Sequence, residues 1–291
     1  MATSTPLVPA TVVSGLRLTT LAEQRPSWPT TGRHILAHHD DTHVVVYQAF
    51  NAGIAAHAVR HQTFRDDCPG YNPTRMTWVK TNFLWMMYRC GWAGKDANQA
   101  RVLAISLSRE GFDELLAAAV EIPHGAPAAA DAGGDAAAAG AEPDTTPGTE
   151  AGAPTGRSRG GARGRGGRQR AAGAVRADPV RLQWDPDHTP AGGKCERRAI
   201  QLGMRGAAVL QKFRTPVAEG GWLRGIEDIT DTLVAPQRAL AMEGRASDWG
   251  ALVVPVESVL TPLDPALLTH IAASPVPTAL PPPPAVADGD T

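Results

Sequence analysis

The chain has 291 residues and a formal net charge of −1 at pH 7, from 28 Lys and Arg against 29 Asp and Glu. A balance this close to neutral argues against a global electrostatic attraction to nucleic acid or to a membrane surface. The three cysteines, Cys68, Cys90 and Cys195, lie far apart and form no CxxC pair. They argue against a disulfide framework and a Cys-rich zinc site, and they favour a reducing compartment.

The N-terminal residues carry no early cluster of positive charge and no sustained apolar core. No run of the chain approaches the roughly 18 consecutive apolar residues that a membrane span needs. We therefore expect a cytoplasmic protein without a membrane partner.

Strand and helix patterns alternate along residues 30–122, the first half of the expected domain. Period-two alternation and β-branched residues predict strands, whereas apolar residues at helical spacing after a capping residue predict helices. In chain order the predicted elements are a strand His43–Gln48, a helix after Asn51 through His61, a strand Met76–Lys80, a helix capped by Thr81 and running to Gly91, a strand Arg101–Leu107 and a helix Arg109–Val120.

The same alternation returns in residues 179–272, the second half. The predicted elements are strands at Val180–Trp184, Arg198–Leu202, Trp222–Glu227 and Leu252–Val256, and helices at Gly206–Phe213, Asp231–Glu243 and Pro265–Ala272. We expect the two halves to form a single α+β domain.

A long insert, residues 123–178, separates the halves. It is rich in Ala, Gly, Pro and Arg, and its last part is an RGG-like segment with seven Arg and no acid between 157 and 176. Such a composition cannot bury enough apolar surface to offset the entropy of the chain. We expect the insert to be disordered, together with a flexible N-terminus, 1–29, and a Pro-rich tail, 273–291.

Residues 75–92, RMTWVKTNFLWMMYRCGW, are the most informative stretch. They contain three of the seven Trp and the cations Arg75, Lys80 and Arg89, with Lys95 just beyond, and no acid. Trp and cations are costly to bury without partners, so this mixture indicates a wall where apolar packing meets an anionic group.

Six strings carry a resemblance to a known family: VVVYQAFN, RMTWVKTNFLWMMYRCGWAGK, RVLAISLSREGF, VRLQWDP, RRAIQLG and GIEDIT. Together they resemble the uncharacterised bacterial and fungal family of domain of unknown function 4291, over roughly residues 30–272 without the insert. The resemblance implies that the insert is an accessory, because family members pass from the REGF helix to the VRLQWDP strand by a short connection.

The resemblance implies no established activity. The family's first strand reads RxIRA, whereas this chain reads RHILA, so Arg33 is kept and the second basic residue is replaced by Leu36. An anion site that used both basic residues would be weaker here.

We hypothesise that aromatic and cationic side chains converge on a phosphate-bearing ligand. Arg can bind phosphate with two parallel hydrogen bonds, an indole can stack on a base, and the N–H groups that open a helix favour an anion. The alternative is that Phe83–Met87 form a core helix and the cations extend to water. The candidate substrate-binding residues are Arg33, Gln48, Arg75, Trp78, Lys80, Trp85, Arg89 and Lys95, and Tyr88 is expected on the same helix face as Trp85 and Trp92.

The candidate catalytic residues are Glu227 and Tyr47. A carboxylate at a strand end near cations can act as a general base or bind a ribose. The order of Arg33, Tyr47 and a late glutamate, Glu227 or Glu257, is similar to that of ADP-ribosyltransferase folds, which bind NAD, although this is an analogy of fold only. The competing interpretation is that such acids are helix caps or surface ion partners, as Asp228 and Asp231 would be around Thr230.

His57 and His61 are spaced i, i+4, which allows two imidazoles to bind one metal on a helix. Without an HExxH glutamate or a Cys pair, we interpret them as solvated side chains and expect no metal site.

Three functions remain open on these residues. The first is an enzyme acting on a nucleotide, on NAD or on a nucleic-acid terminus. The second is a noncatalytic RNA- or DNA-binding module that uses the RGG-like insert, and the third is a protein-interaction domain. The partner is therefore a phosphate-bearing small molecule, a nucleic acid or a protein.

Overall fold

A computed structural model describes residues 15–122, 180–278 and 280–284. Seven strands form one sheet in the order β6-β7-β8-β4-β3-β5-β9, in which β6 and β7 are parallel and the other neighbours are antiparallel. These strands are β3 His43–Phe50, β4 Thr77–Lys80, β5 Arg101–Ser108, β6 Ala119–Glu121, β7 Val180–His188, β8 Lys194–Met204 and β9 Leu223–Asp228. Four short strands make two small pairs, β1 Leu18–Thr20 with β10 Val253–Pro255, and β2 Leu36–Ala37 with β11 Ser258–Val259.

Within the described ranges, seven α-helices connect or flank the strands. They are α1 Leu21–Gln24, α2 Ala52–His61, α3 Phe83–Cys90, α4 Arg109–Ala117, α5 Ala207–Arg214, α6 Arg238–Glu243 and α7 Ala266–His270. Asn51 caps α2 and Ser108 caps α4, each accepting a hydrogen bond from a backbone N–H in the first turn.

Each face of the sheet packs on its own apolar core. In β3, Val44 and Val46 enter the core shared with α2, α4 and α5, whereas Val45 and Tyr47 enter the core shared with α3. Successive side chains of a strand point to opposite faces, so a fully buried run such as Val44–Tyr47 is the pattern of a strand covered on both sides. We refer to the side of α3 as the α3 face.

The predicted fold class is confirmed, because helices and strands mix within one α+β domain. The expected disordered insert, 123–178, lies outside the described residues, as do residues 1–14, residue 279 and residues 285–291. Residues 15–29 correct the expected flexible N-terminus: Leu18, Leu21 and Trp28 are buried, and β1 pairs with β10. The folded domain therefore begins before residue 30.

Several predicted elements have different bounds in the structure. Strand β7 continues through Pro186 to His188, since an irregularity in its pairing with β8 accommodates the proline. The expected helix Asp231–Glu243 is a π-helical turn, Thr230–Val234, then a short 3-10 turn and α6. Asn82, rather than Thr81, caps α3. Within the described ranges, every helix is too short or too polar to cross a bilayer.

Candidate functional site

A line of directly paired residues crosses the sheet and positions the candidate site. Paired residues on neighbouring strands point to the same face, and Tyr47 lies on the α3 face, so the whole line does. From β9 to β7 the line is Glu227, Ala104, Tyr47, Lys80, Gln201 and Gln183. Three of the predicted site residues therefore share one face of the sheet.

The β7 end of this face is polar. Arg181, Gln183 and Asp185 alternate with the apolar Val180 and Leu182, which belong to the opposite core. The Gln201 amide of β8 donates to Gln183 Oε1 at 2.8 Å. Sequence reasoning missed these side chains as site candidates, although the alternation in VRLQWD is the signal for a strand with one polar face.

Lys80 is the last residue of β4 and the centre of the site. It is 6% exposed, and its Nζ lies 5.0 Å from the centroid of the Trp85 ring. No carboxylate among the described residues forms an ion pair with it. The pKa of the amine is lowered from 10.5 to about 7, chiefly by burial and also by the nearby Arg89 guanidinium, whereas Asp185 opposes the change.

Helix α3 places Trp85 over Lys80. The helix begins after Asn82, whose Oδ1 accepts from the Trp85 backbone N–H at 2.8 Å. The indole is 5% exposed, and its N–H meets no acceptor within the described part of the chain. A buried indole N–H usually finds a partner. The site therefore combines an indole N–H that has no described acceptor with a desolvated amine over the same ring.

Trp78 lies two residues before Lys80 on the same face of β4. It pairs with Gly203 of β8, and a Cβ added to that glycine would lie 2.8 Å from two atoms of the indole ring. Only glycine lets the ring lie this close to the neighbouring strand. The indole remains partly exposed, which leaves it accessible to a ligand.

Glu257 binds the first turn of α3. The side chain is fully buried, and its Oε1 accepts from the Phe83 N–H at 2.7 Å. Its backbone exchanges two hydrogen bonds with the Gln24 amide, and its carbonyl accepts from the Trp28 indole. Burial raises the pKa of this carboxyl well above its usual range, whereas the hydrogen bond from the Phe83 N–H opposes the change.

A family model matches residues 34–143 and 155–260. The chain belongs to the family named Domain of unknown function (DUF4291). This confirms the resemblance drawn from the six strings, and the matched residues include β4, α3, β7 and Glu257. A search of curated proteins found no match to the chain.

Within this DUF4291 domain, Tyr47 and Gln48 lie on opposite faces of β3. The Tyr47 ring is fully buried against Phe83, and its hydroxyl meets no partner among described residues. Burial raises the pKa of Tyr47 well above its usual range, and the nearby Glu257 contributes. Strand alternation directs Gln48 to the other core, so the two residues cannot contact one ligand.

Three of the candidate cations lie apart from Lys80. The Arg33 guanidinium forms an ion pair with Glu121 at 3.1 Å, and Arg33 itself bridges to β8 at Arg198. Arg75 is exposed before β4, and Lys95 is exposed after α3. Arg89 is the cation that α3 brings close enough to Lys80 to lower its pKa.

Glu227 shares the face of Tyr47 but not its immediate surroundings. It pairs with Ala104, which in turn pairs with Tyr47. With about 4.8 Å between neighbouring strands, the Cα atoms of Glu227 and Lys80 are separated by about 14 Å. The neighbouring Asp228 and Asp231 both bind Arg101, at 2.7 and 2.8 Å, as the ion-partner interpretation predicted.

The expected aromatic stripe of α3 is shorter than predicted. The helix ends at Cys90, and Gly91, Trp92 and Ala93 all have left-handed φ angles, of 57°, 54° and 60°. Trp92 therefore leaves the helix face, and it is fully buried with its indole donating to the Pro190 carbonyl at 3.0 Å. The Tyr88 ring is also occupied, because it stacks on His188 at 3.5 Å.

The two histidines of α2 contact each other with ring centroids 4.4 Å apart. His57 Nε2 lies 3.8 Å from Asp67 Oδ1. Across the described ranges, no group of three or more His, Cys, Asp or Glu is arranged to hold a metal ion.

Proposed function

We propose that the DUF4291 domain is an enzyme acting on a nucleotide or a nucleic-acid terminus, and that it binds the phosphate of that ligand at the Lys80 site. We define this site as Trp78, Lys80, Trp85, Arg89 and Asp185. The observation that carries the proposal is the buried Lys80 amine, which lies over the Trp85 ring, whose N–H meets no described acceptor, and which has no ion pair with a described carboxylate.

The electrostatics of the site favour an anionic ligand. Burying a cation is expensive unless an opposite charge compensates it, and here burial and the Arg89 guanidinium together outweigh the attraction of the Asp185 carboxylate. A phosphate oxygen would accept from the Lys80 amine and the Trp85 indole together. Hydrogen bonds of this charge-assisted kind are about twice as strong as neutral ones.

Trp78 supports the nucleotide part of the proposal. Its indole is partly exposed, and the absence of a side chain on Gly203 lets the ring lie close to β8. Stacking of a base on an aromatic ring contributes about 1–3 kcal/mol and tolerates any base. The polar Gln183 and Gln201 side chains, on the same line as Lys80, are available to orient sugar hydroxyls.

Of the three ligands that the sequence suggested, a nucleotide, NAD and a nucleic-acid terminus, NAD is the least favoured. In the ADP-ribosyltransferase analogy, Arg33, Tyr47 and Glu227 would surround the dinucleotide. Arg33 is instead paired with Glu121, and the Tyr47 hydroxyl is buried between β3 and α3. Binding through Lys80 requires neither of them.

Titration of the full chain with ATP, NAD and a short 5′-phosphorylated oligonucleotide tests the proposal. We expect at least one of them to raise the melting temperature, because a ligand that binds only the folded state stabilises it. The Lys80→Met variant removes the amine with little change in volume and should lose this shift. The Trp85→Phe variant keeps the ring but removes the N–H, and should reduce it.

The matched control is Lys212→Met. Lys212 also lies over an indole, with Nζ 5.7 Å from the Trp222 ring, but it is exposed and paired with Glu114. This variant should keep the full ligand-dependent shift. Equal shifts in Lys80→Met and Lys212→Met would remove the Lys80 site from the proposal.

A further inference from the structure

The structure also bears on the chemistry of the Lys80 amine. We propose that Lys80 is a nucleophile that attacks the α-phosphorus of a nucleoside phosphoanhydride and carries the nucleotide as a covalent lysyl phosphoramidate. This inference rests on the proposed function, since it requires a nucleotide at the Lys80 site. Two sources share the required chemistry, a nucleoside triphosphate and a dinucleotide such as NAD.

The position of Lys80 favours attack over simple phosphate binding. A lysine that only binds phosphate works best as a full cation, usually open to water or paired with an acid. Lys80 is 6% exposed, forms no ion pair with a described carboxylate and has Arg89 nearby. Desolvation and a neighbouring cation are the two conditions that turn a lysine into a neutral, nucleophilic amine.

The backbone fixes where that amine lies. Lys80 is paired on one side with Tyr47 and on the other with Gln201, so two strands hold it in the middle of the sheet. The Trp85 ring covers Nζ from the side of α3. An amine held on a rigid strand and covered on one side approaches its target from a single direction, which is what an in-line displacement needs.

The step balances without a redox partner. The Nζ lone pair forms the P–N bond as the anhydride P–O bond breaks, and the bonding electrons leave with pyrophosphate from a triphosphate, or with nicotinamide mononucleotide from NAD. The amine proton leaves to solvent. The Arg89 guanidinium, whose charge acts on the Lys80 amine, and the N–H of the Trp85 indole that covers the amine would stabilise the charge that develops on the phosphoryl oxygens.

The test uses the full chain, incubated with Mg²⁺ and one labelled donor at a time: ATP labelled at the α-phosphate, ATP labelled at the γ-phosphate, or NAD labelled at its adenylate phosphate. After denaturation, we expect retained label from the first donor or the third and none from the second. Peptide mass spectrometry should place it on Lys80, and mild acid should release it, as expected for a P–N bond.

Two variants sharpen the result. Lys80→Arg keeps a cation that cannot lose its proton, so retained label should fall to background even where a nucleotide still raises the melting temperature. Lys212→Met should keep full labelling. The peptide map of the wild-type chain identifies the labelled residue without the use of either variant.

The outcomes separate the two proposals. A melting-temperature shift with no label on Lys80 from any donor overturns the nucleophile and leaves the binding function standing. Label on another residue overturns it equally. If no donor gives either a melting-temperature shift or retained label, both proposals are overturned.

Discussion

Two lysines of this domain each lie over an indole, and their surroundings differ in almost every other respect. Lys212 of α5 packs on Trp222 with its side chain 50% exposed, and it forms an ion pair with Glu114. Lys80 of β4 packs on Trp85, is 6% exposed and has no such partner among the described residues. The first pair is an ordinary surface arrangement, whereas the second is costly for the folded state.

The comparison shows which of the two lysines lowers the stability of the folded domain. An exposed cation–π pair with a carboxylate beside it contributes about 0.5–1 kcal/mol and asks for no explanation. A desolvated amine without an ion-paired acid costs free energy, and groups of this kind cluster at functional sites. Each of the two regions also packs a Trp on a glycine: Trp222, which lies under Lys212, packs on Gly111, and Trp78, on the same strand as Lys80, packs on Gly203.

The largest effect should come from adding a methyl group under Trp222. A Cβ on Gly111 would lie 2.4 Å from a ring atom of this buried indole, which has no room to move. We expect Gly111→Ala to lower the free energy of unfolding by about 3 kcal/mol, even after the gain in helix propensity. Gly203→Ala should cost only about 1 kcal/mol, because Trp78 is partly exposed and can tilt away.

Urea denaturation of both variants measures this contrast. Equal losses would show that the Trp78 ring is held as rigidly as a core residue, and it would then be a poor platform for a base. Loss of nucleotide binding in Gly203→Ala alone would sharpen the contrast.

Replacing Lys80 should stabilise the domain. Lys80→Met removes the cost of burying the amine, and we expect a gain of about 2 kcal/mol at neutral pH. The folded pKa of about 7 lies below the usual 10.5, so folding must release a proton between these values. That cost falls as pH rises, and the advantage of the variant should therefore shrink from pH 7 upward and vanish near 10.5. Thermal unfolding across this range checks it, and a destabilised variant would contradict the assignment of a functional cost.

A buried carboxyl allows the same comparison with the opposite charge. Glu114 is exposed and ion-paired, whereas Glu257 is fully buried with a raised pKa. A raised folded pKa means that the stability from protonated Glu257 is present below its unfolded pKa and is lost as pH rises. We expect Glu257→Gln, which still accepts from Phe83, to gain about 1 kcal/mol on the wild type between about pH 5 and about pH 8. Paired urea titrations at the two pH values measure it, and a difference independent of pH would show that Glu257 ionises freely.

The smallest effect belongs to the exposed pair. Lys212→Met should change the free energy of unfolding by about 0.5 kcal/mol or less, and the change should diminish in high salt. Chemical denaturation at two ionic strengths is sufficient. A loss comparable to that of a core substitution would mean that the two Lys–Trp pairs are not as different as their exposure indicates.

Local patterns predicted much of the fold. Strands β3 and β5 follow from β-branched runs, and α2 begins after Asn51 as its capping pattern predicts. The start of α3 did not follow in the same way. Its first N–H is bound by Glu257, 174 residues further along the chain, and no local pattern encodes a contact of that separation.

The candidate site was predicted in part for the same reason. Lys80, Trp85 and Arg89 lie within ten residues, so a short strand and helix suffice to bring them together. Gly203 of β8 reaches the site through pairing with β4, and Asp185 of β7 through pairing with β8, and both pairings depend on register. The separation of Tyr47 from Gln48 was available from the sequence, because neighbours in a strand cannot share a face.

The hydrogen bonds of Glu257 to Gln24 and Trp28 also decide at which residue a shortened form of the chain should begin. The family match begins at residue 34, ten residues after Gln24. A fragment cut to that boundary would leave the Glu257 backbone without its partners, directly beneath the first turn of α3. Expression of the domain as a minimal fragment should therefore retain the chain from about residue 15, the first residue that the structure describes.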